Sequence, residues 1–233
     1  MNKTIVSILT ISLLGITAAQ AQIIVNVDFN STNNGGGATF VGLAAATDPA
    51  GATALWNGIS NDTFGGMPNL GATNLLDSTG AASGLGISVS DMGGGYSGSG
   101  NALLNDYLYI NSGTNNQVVT ISGLNNSASY DLFIYGMGDN GGQGSTFTIA
   151  GNSLQTSNNP RDGSVFVEGN NFVKFANLTP TAGGLTINWT LGPDGSNGAL
   201  NGIQIVSSIP EPSTYAALAG IIILLVAIAR RRK

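Results

Sequence analysis

Asp139-Asn140-Gly141-Gly142-Gln143-Gly144 puts a carboxylate and an amide into a glycine-rich stretch. Oxygens of that kind can ligate Ca²⁺. Asp194-Gly195-Ser196-Asn197-Gly198 offers the same chemistry. Neither spacing matches an EF-hand, and both also read as turns in which Asp and Asn cap their own backbone and Gly takes positive φ. A second chemistry is stacking: exposed aromatic rings hold the apolar faces of pyranose sugars while polar neighbours take the hydroxyls. The candidates are Trp56, Tyr96, Tyr107, Tyr109 and Tyr135. Trp56, beside Asn57 and Gly58, is the leading surface platform, with Tyr96 as its companion; core packing is the competing reading for each. Trp189 falls on the inward face of an alternating strand and reads as core. Paired carboxylates could serve a glycosidase. However, Glu168 is the sole Glu in residues 22–208, and no acid stands in a context that suggests a raised pKa, so the acids read as solvated charges.

The residue types that are missing exclude more. The chain has no Cys and no His. Thiolate catalysis, Cys or His zinc sites, His-ligated haem and a Ser-His-Asp triad are excluded, and no disulfide can brace the fold. Within residues 22–208, the cations Arg161 and Lys174 face eleven acids, a net charge of −9. So acidic a domain is not a nucleic-acid binder, because phosphate contacts need clustered Lys and Arg. The acids are spread along the chain, which favours solubility over a binding patch.

These groups must be positioned by strands. Gly, Asn, Ser and Thr are abundant and are poor helix formers, so the composition disfavours long helices. Ile23 to Phe29 alternates, with Val25, Val27 and Phe29 on one face. Tyr107 to Ile110 and Gln117 to Ile121 are apolar runs around a polar turn. Tyr130 to Tyr135 is apolar on both faces, as in a strand covered on both sides. Ser145 to Ile149 and Ser164 to Val167 alternate, and Phe172 to Phe175 is apolar apart from Lys174. Leu185, Ile187, Trp189 and Leu191 alternate strictly with polar residues, the cleanest amphipathic strand in the chain. Gly202 to Val206 closes the set with Ile203 and Ile205 inward. About ten short strands between polar turns, without helix, predict an all-β fold: an antiparallel β-sandwich. Residues 31–100 carry three Gly clusters and predict long loops or irregular strands.

Both termini read as addresses. Lys3, an apolar stretch from Ile5 to Ile16, and Ala19-Gln20-Ala21 form a signal peptide over 1–21, cut between Ala21 and Gln22. At the other end, Pro210-Glu211-Pro212 precedes an apolar run over 213–229 and then Arg230-Arg231-Arg232-Lys233. Seventeen residues make ~26 Å of helix, slightly short of a ~30 Å hydrocarbon core, and the terminal cations can snorkel to close the gap. The prolines forbid helix upstream, so the transmembrane span starts after them. Cations outside both apolar segments put both ends in the cytoplasm and the 22–208 domain across the membrane.

Pro-Glu-Pro, an apolar helix and an Arg cluster, in that order at the chain's end, resemble the PEP-CTERM sorting signal of Gram-negative bacteria. The resemblance covers about residues 209–233. The N-terminal segment implies export by the Sec translocon and trimming by signal peptidase, the apolar run implies an inner-membrane-anchored precursor, and the resemblance implies processing near Pro210–Pro212 by an exosortase. It also implies a mature form in the cell envelope or extracellular matrix, associated with exopolysaccharide or biofilm. Residues 101–151, with their Leu104-Asn105-Asp106-Tyr107-Leu108-Tyr109-Ile110 and Tyr130-to-Gly136 strands, and the closing Asn201-Gly202-Ile203-Gln204-Ile205 resemble jelly-roll sandwiches of PEP-CTERM and carbohydrate-binding proteins. The expectation is a non-enzymatic envelope protein with no cofactor beyond a structural calcium ion. The alternative is a carbohydrate-binding module of jelly-roll type.

Overall fold

The computed structural model describes residues 22–208, apart from 34–35, 62–63, 68–69, 91, 99 and 114–115. The expected signal peptide, sorting motif and transmembrane helix lie outside the described residues. Among the described residues, no helix is long and apolar enough to cross a membrane.

The regular structure of the described chain is nearly all strand, as expected. In order it forms β1 (Ile24–Asn30), β2 (Asn57–Ser60), β3 (Phe64–Met67), β4 (Leu70–Ala72), β5 (Gly86–Val89) and β6 (Met92–Ser97). A single helical turn, α1 (Ala102–Asn105), leads into β7 (Asp106–Asn111), β8 (Gln117–Ser122), β9 (Ser129–Tyr135) and β10 (Ser145–Ile149). The last five are β11 (Asn152–Gln155), β12 (Phe172–Leu178), β13 (Gly184–Leu191), β14 (Asn197–Leu200) and β15 (Gly202–Ser208). The turn α1 was not anticipated; the Asn101 side chain caps it by accepting from Leu104 N–H at 3.0 Å.

The strands build three sheets, ordered β12-β9-β15-β1-β2, β11-β10-β13-β8-β5-β4 and β14-β7-β6-β3. Pairing is antiparallel except between β1 and β2. Alternating apolar residues from all three sheets meet in one core. Val25, Val27 and Phe29 of β1, Ile187 and Trp189 of β13, and Leu108 and Ile110 of β7 all belong to it. Trp189 is fully buried and its Nε1 donates to Ser145 Oγ at 2.8 Å, so the ring keeps its one polar atom satisfied. The strict alternation of β13 is borne out: Leu185, Ile187 and Trp189 are buried, while Thr186 and Asn188 are exposed.

One expected strand is absent. Ser164 to Val167 forms no strand, and Val165 and Val167 are exposed. The reason is local. Asn171 Nδ2 donates to Asp162 O and Val165 O, its Oδ1 accepts from Val167 N–H, and Asp162 Oδ1 accepts from Ser164 N–H. Side chains satisfy this backbone, so no neighbouring strand is needed. Residues 31–100, read as long loops or irregular strands, hold a long strand-free segment before β2 and the short strands β2 to β6, with the β3–β6 pairing irregular between Phe64 and Met67.

The even face of β1, polar by alternation, is covered as well. Residues 36–56 wrap across Asn26, Asp28 and Asn30, all of which are buried. A second apolar cluster of Trp56, Leu103, Leu104, Tyr135, Met137 and Phe172, with Phe40 packed against it, lies on this side of the sheet.

Candidate functional site

The site starts from one alternating strand. In β7, Leu108 and Ile110 point into the core, and Tyr107, Tyr109 and Asn111 point the opposite way. Register extends that outer face sideways: Tyr96 of β6 sits opposite Tyr107, and Ala199 and Asn197 of β14 sit opposite Tyr109 and Asn111. Three tyrosines from two adjacent strands therefore share one face. Tyr96 and Tyr107 lie with ring centroids 6.0 Å apart, tilted by 56°. Gly93 lies under the Tyr109 ring. A Cβ there would sit 2.7 Å from Tyr109 Cε2, so only glycine lets that ring lie against β6.

The loop after β9 forms the opposite wall. Gly138 N–H donates to Gln143 O at 2.7 Å, and Gln143 N–H to Asn140 O at 3.2 Å, which closes the loop on itself. The buried Asn158 fastens it by donating to Gly138 O at 3.2 Å and Asn140 O at 2.7 Å, and Arg161 Nε donates to Gly138 O at 3.1 Å. Held this way, Asp139 Oδ1 accepts from the Tyr107 hydroxyl at 3.1 Å and from Asn140 Nδ2 at 3.1 Å. Burial, with the Asp139 carboxylate beside it, pushes the Tyr107 phenol up, so it stays protonated as the donor.

Between the walls is an open cleft of about 390 Å³. Tyr96, Tyr107 and Tyr109 line one side, and Asp139, Asn140 and Gln143 line the other. Asn111 and Asn197 line it as well. No cation is among the lining residues. Tyr96 and Tyr109 are half-buried and Tyr107 is buried. The arrangement combines apolar rings with carboxylate, amide and backbone hydrogen-bonding groups, the composition of a site for a small polar ligand with apolar faces.

The candidate residues are thereby sorted. Tyr96, Tyr107, Tyr109, Asp139 and Asn140, assigned to two separate chemistries from the sequence, converge on this single cleft. Trp56 does not. It is 4% exposed, its Nε1 donates to Gly42 O at 3.1 Å, and Phe40 and Tyr135 pack edge-on at 5.3 and 6.1 Å between centroids. The surface platform expected there is corrected to a core residue, because the 36–56 segment closes over it. Tyr135 is fully buried in the same cluster, its hydroxyl donating to Gln204 Oε1 and accepting from Ala45 N–H at 2.8 Å.

Asp194 lies in a loop that touches the Asp139 loop, through an Asp194 N–H to Gly142 O bond of 3.2 Å. Its carboxylate serves its own turn: Oδ1 accepts from Ser196 and Asn197 N–H at 2.9 and 3.0 Å, and Oδ2 from the Ser196 hydroxyl at 2.9 Å. Partial burial raises its carboxyl, and these bonds outweigh that and hold it below the usual Asp range. Among the described residues, no three or more His, Cys, Asp or Glu side chains gather as a metal cluster.

The expectation that every acid is a solvated charge is corrected at Asp28 and Asp106, which are 0% and 1% exposed. Burial pushes the Asp28 carboxyl well up; the Phe40 N–H pulls against this and the charge of Asp106 adds to it. Burial likewise raises Asp106, against donation from Gly37 and Ser31 N–H. The signal available in the sequence was an Asp between two Asn residues at alternate positions of an otherwise apolar strand.

No family model matches the chain, and no curated protein matches it. Among solved structures, the chain is similar to protein YxiM from Bacillus subtilis at 13% identity and a TM-score of 0.39. That match covers 81% of this chain and 41% of the other, so the chain spans less than half of YxiM's length. The function is read from the site itself.

Proposed function

We propose that residues 22–208 form a non-enzymatic, jelly-roll-type sandwich that binds an extracellular glycan in the Tyr96–Tyr107–Tyr109 cleft. The observation that carries this reading is the shared face of β6 and β7, where three tyrosine rings stand opposite the polar Asp139–Gln143 loop. Pyranose C–H faces stack on aromatic rings, and sugar hydroxyls match Asn, Gln and Asp side chains. A lining without Lys or Arg, on a domain of net charge −9, favours a neutral glycan over a polyuronate or sulfated polymer.

Delivery follows from the ends of the chain. Signal peptidase cuts after Ala21 following Sec export, helix 213–229 anchors the precursor, and Arg230 to Lys233 stay in the cytoplasm. An exosortase-type enzyme then processes the tail near Pro210-Glu211-Pro212. The mature protein joins the envelope or matrix of a Gram-negative cell and associates with its exopolysaccharide. Mass spectrometry of the mature termini tests this part: Gln22 at the front and loss of Arg230–Lys233 at the back support it, and an intact Met1-to-Lys233 chain in the cytosol contradicts it.

Affinity electrophoresis of the full chain in neutral-glucan and polyuronate gels tests the cleft. Retardation by a neutral polymer, weakened about tenfold in a Tyr96→Ala/Tyr109→Ala variant that melts normally, is expected for a loss of ~1–1.5 kcal/mol of stacking. Binding that is unchanged in the folded variant contradicts the assignment.

A further inference from the structure

Four buried side-chain atoms among the described residues accept no hydrogen bond, and all four are oxygens. One, Asn158 Oδ1, belongs to the side chain that fastens the Asp139 loop. The other three, Asp28 Oδ1, Asn30 Oδ1 and Asp106 Oδ1, belong to one neighbourhood. Asp28 and Asn30 occupy alternate positions on the covered face of β1, and Asp106 opens β7. A single short segment touches all three: Gly37 N–H donates to Asp106 Oδ2, Thr39 Oγ1 accepts from Asn30 Nδ2 at 2.8 Å, and Phe40 N–H donates to Asp28 Oδ2 at 2.7 Å. Ser31 N–H, next to Asn30, donates to Asp106 Oδ2 at 3.3 Å. Each side chain is thus tied down through one terminal atom, with its other terminal oxygen left over.

The surplus is one-sided. A water molecule has only two protons to give and cannot serve three acceptors. The charge of Asp106 also acts unfavourably on that of Asp28, and burial multiplies the cost of leaving each charge uncompensated. A cation answers both demands at once. Two carboxylate oxygens and one amide oxygen, with no sulfur or imidazole nearby, make a hard donor set, and calcium tolerates its irregular geometry. Close packing of the cover fits the same picture: a Cβ on Gly36 would overlap Ser97 Oγ and stand 2.8 Å from Asp106 Oδ2.

We propose that Asp28, Asn30 and Asp106 form a buried calcium site that clamps the Gly37–Phe40 segment onto β1 and β7. The site is separate from the Asp139 and Asp194 loops. It lies at the root of the tyrosine face, since Asp106 pairs with Ser97 in the register that pairs Tyr107 with Tyr96. It stands whether or not the cleft binds a glycan, because its readouts require none.

The test uses the full chain in detergent, stripped with EGTA and dialysed against calcium or magnesium chloride, with bound metal counted and thermal unfolding followed. One retained calcium per chain and a higher melting midpoint in calcium than in EGTA are expected. Asp28→Asn and Asp106→Asn should each weaken calcium binding at least about tenfold, and Asp139→Asn and Asp194→Asn should leave it unchanged. If either buried variant fails to fold, the unmutated chain decides. No retained calcium, with the same midpoint in EGTA, overturns the proposal. So does calcium binding that survives Asp28→Asn and Asp106→Asn but is lost in Asp139→Asn or Asp194→Asn.

Discussion

Two regions of this molecule are made of the same residue types and behave in opposite ways. Under the 36–56 segment, Trp56, Tyr135, Asn26, Asp28 and Asp106 are sealed from solvent. On the outer face of β6 and β7, Tyr96, Tyr109, Asp139 and Asn111 border an open cleft. Aromatic, carboxylate and amide groups therefore do not announce a ligand site by themselves. What separates the regions is whether another part of the chain closes over them. Where it does, each polar atom must find a partner inside. Asn26 does, donating to Asp48 Oδ2 and Leu55 O and accepting from Gln204 Nε2 at 2.9 Å. Asp28, two residues on, keeps one oxygen over.

The contrast can be broken most severely at Trp56. Trp56→Ala should cost ~3–5 kcal/mol of stability by opening the second apolar cluster, a large drop in thermal midpoint. A variant that melts like the parent would place Trp56 in the surface class after all. Gly36→Ala comes next: the added methyl must displace Ser97 or Asp106, and ~1–3 kcal/mol of destabilisation by chemical denaturation is expected. In the open region the signs reverse. Tyr96→Ala should leave the midpoint within about 1 kcal/mol of the parent's stability while cutting glycan affinity severalfold. The smallest effect belongs to the Asp194 turn. Its carboxyl is held below its ordinary value in the folded state, so its contribution is present above the unfolded pKa of ~3.9 and is lost as pH falls through the folded value. Asp194→Asn should flatten that acid limb slightly, by well under ~1 kcal/mol given the solvent exposure of the turn.

Legibility in the sequence followed the same divide. Strands whose alternation is decided by one core, such as β13, and β9 with apolar residues on both faces, could be read directly. The Gly-rich strands β3 and β6 could not, because glycine carries no side-chain periodicity and their pairing is fixed by the partner strand. The tyrosine face was half legible. Tyr107 and Tyr109 alternate with Leu108 and Ile110, but the wall opposite them comes from the loop after β9, which only the folded chain brings near. Trp56 was misread because its cover, Phe40 and the residues around Gly42, gives no periodic signal. The Asp28–Asp106 pair was invisible for a related reason: Asn26, Asp28 and Asn30 look like an ordinary solvent face until residues 36–56 cross it.

The central claim is that the outward face of β6 and β7 is where a glycan docks. Its most direct test is NMR of the full chain with ring-labelled tyrosine, titrated with oligosaccharides of whichever neutral polymer retards it. The account predicts that the Tyr96 and Tyr109 ring signals shift together with added sugar, while those of Tyr130 and Tyr135 stay still. Shifts confined to tyrosines outside the cleft, or binding with no tyrosine response, would contradict it.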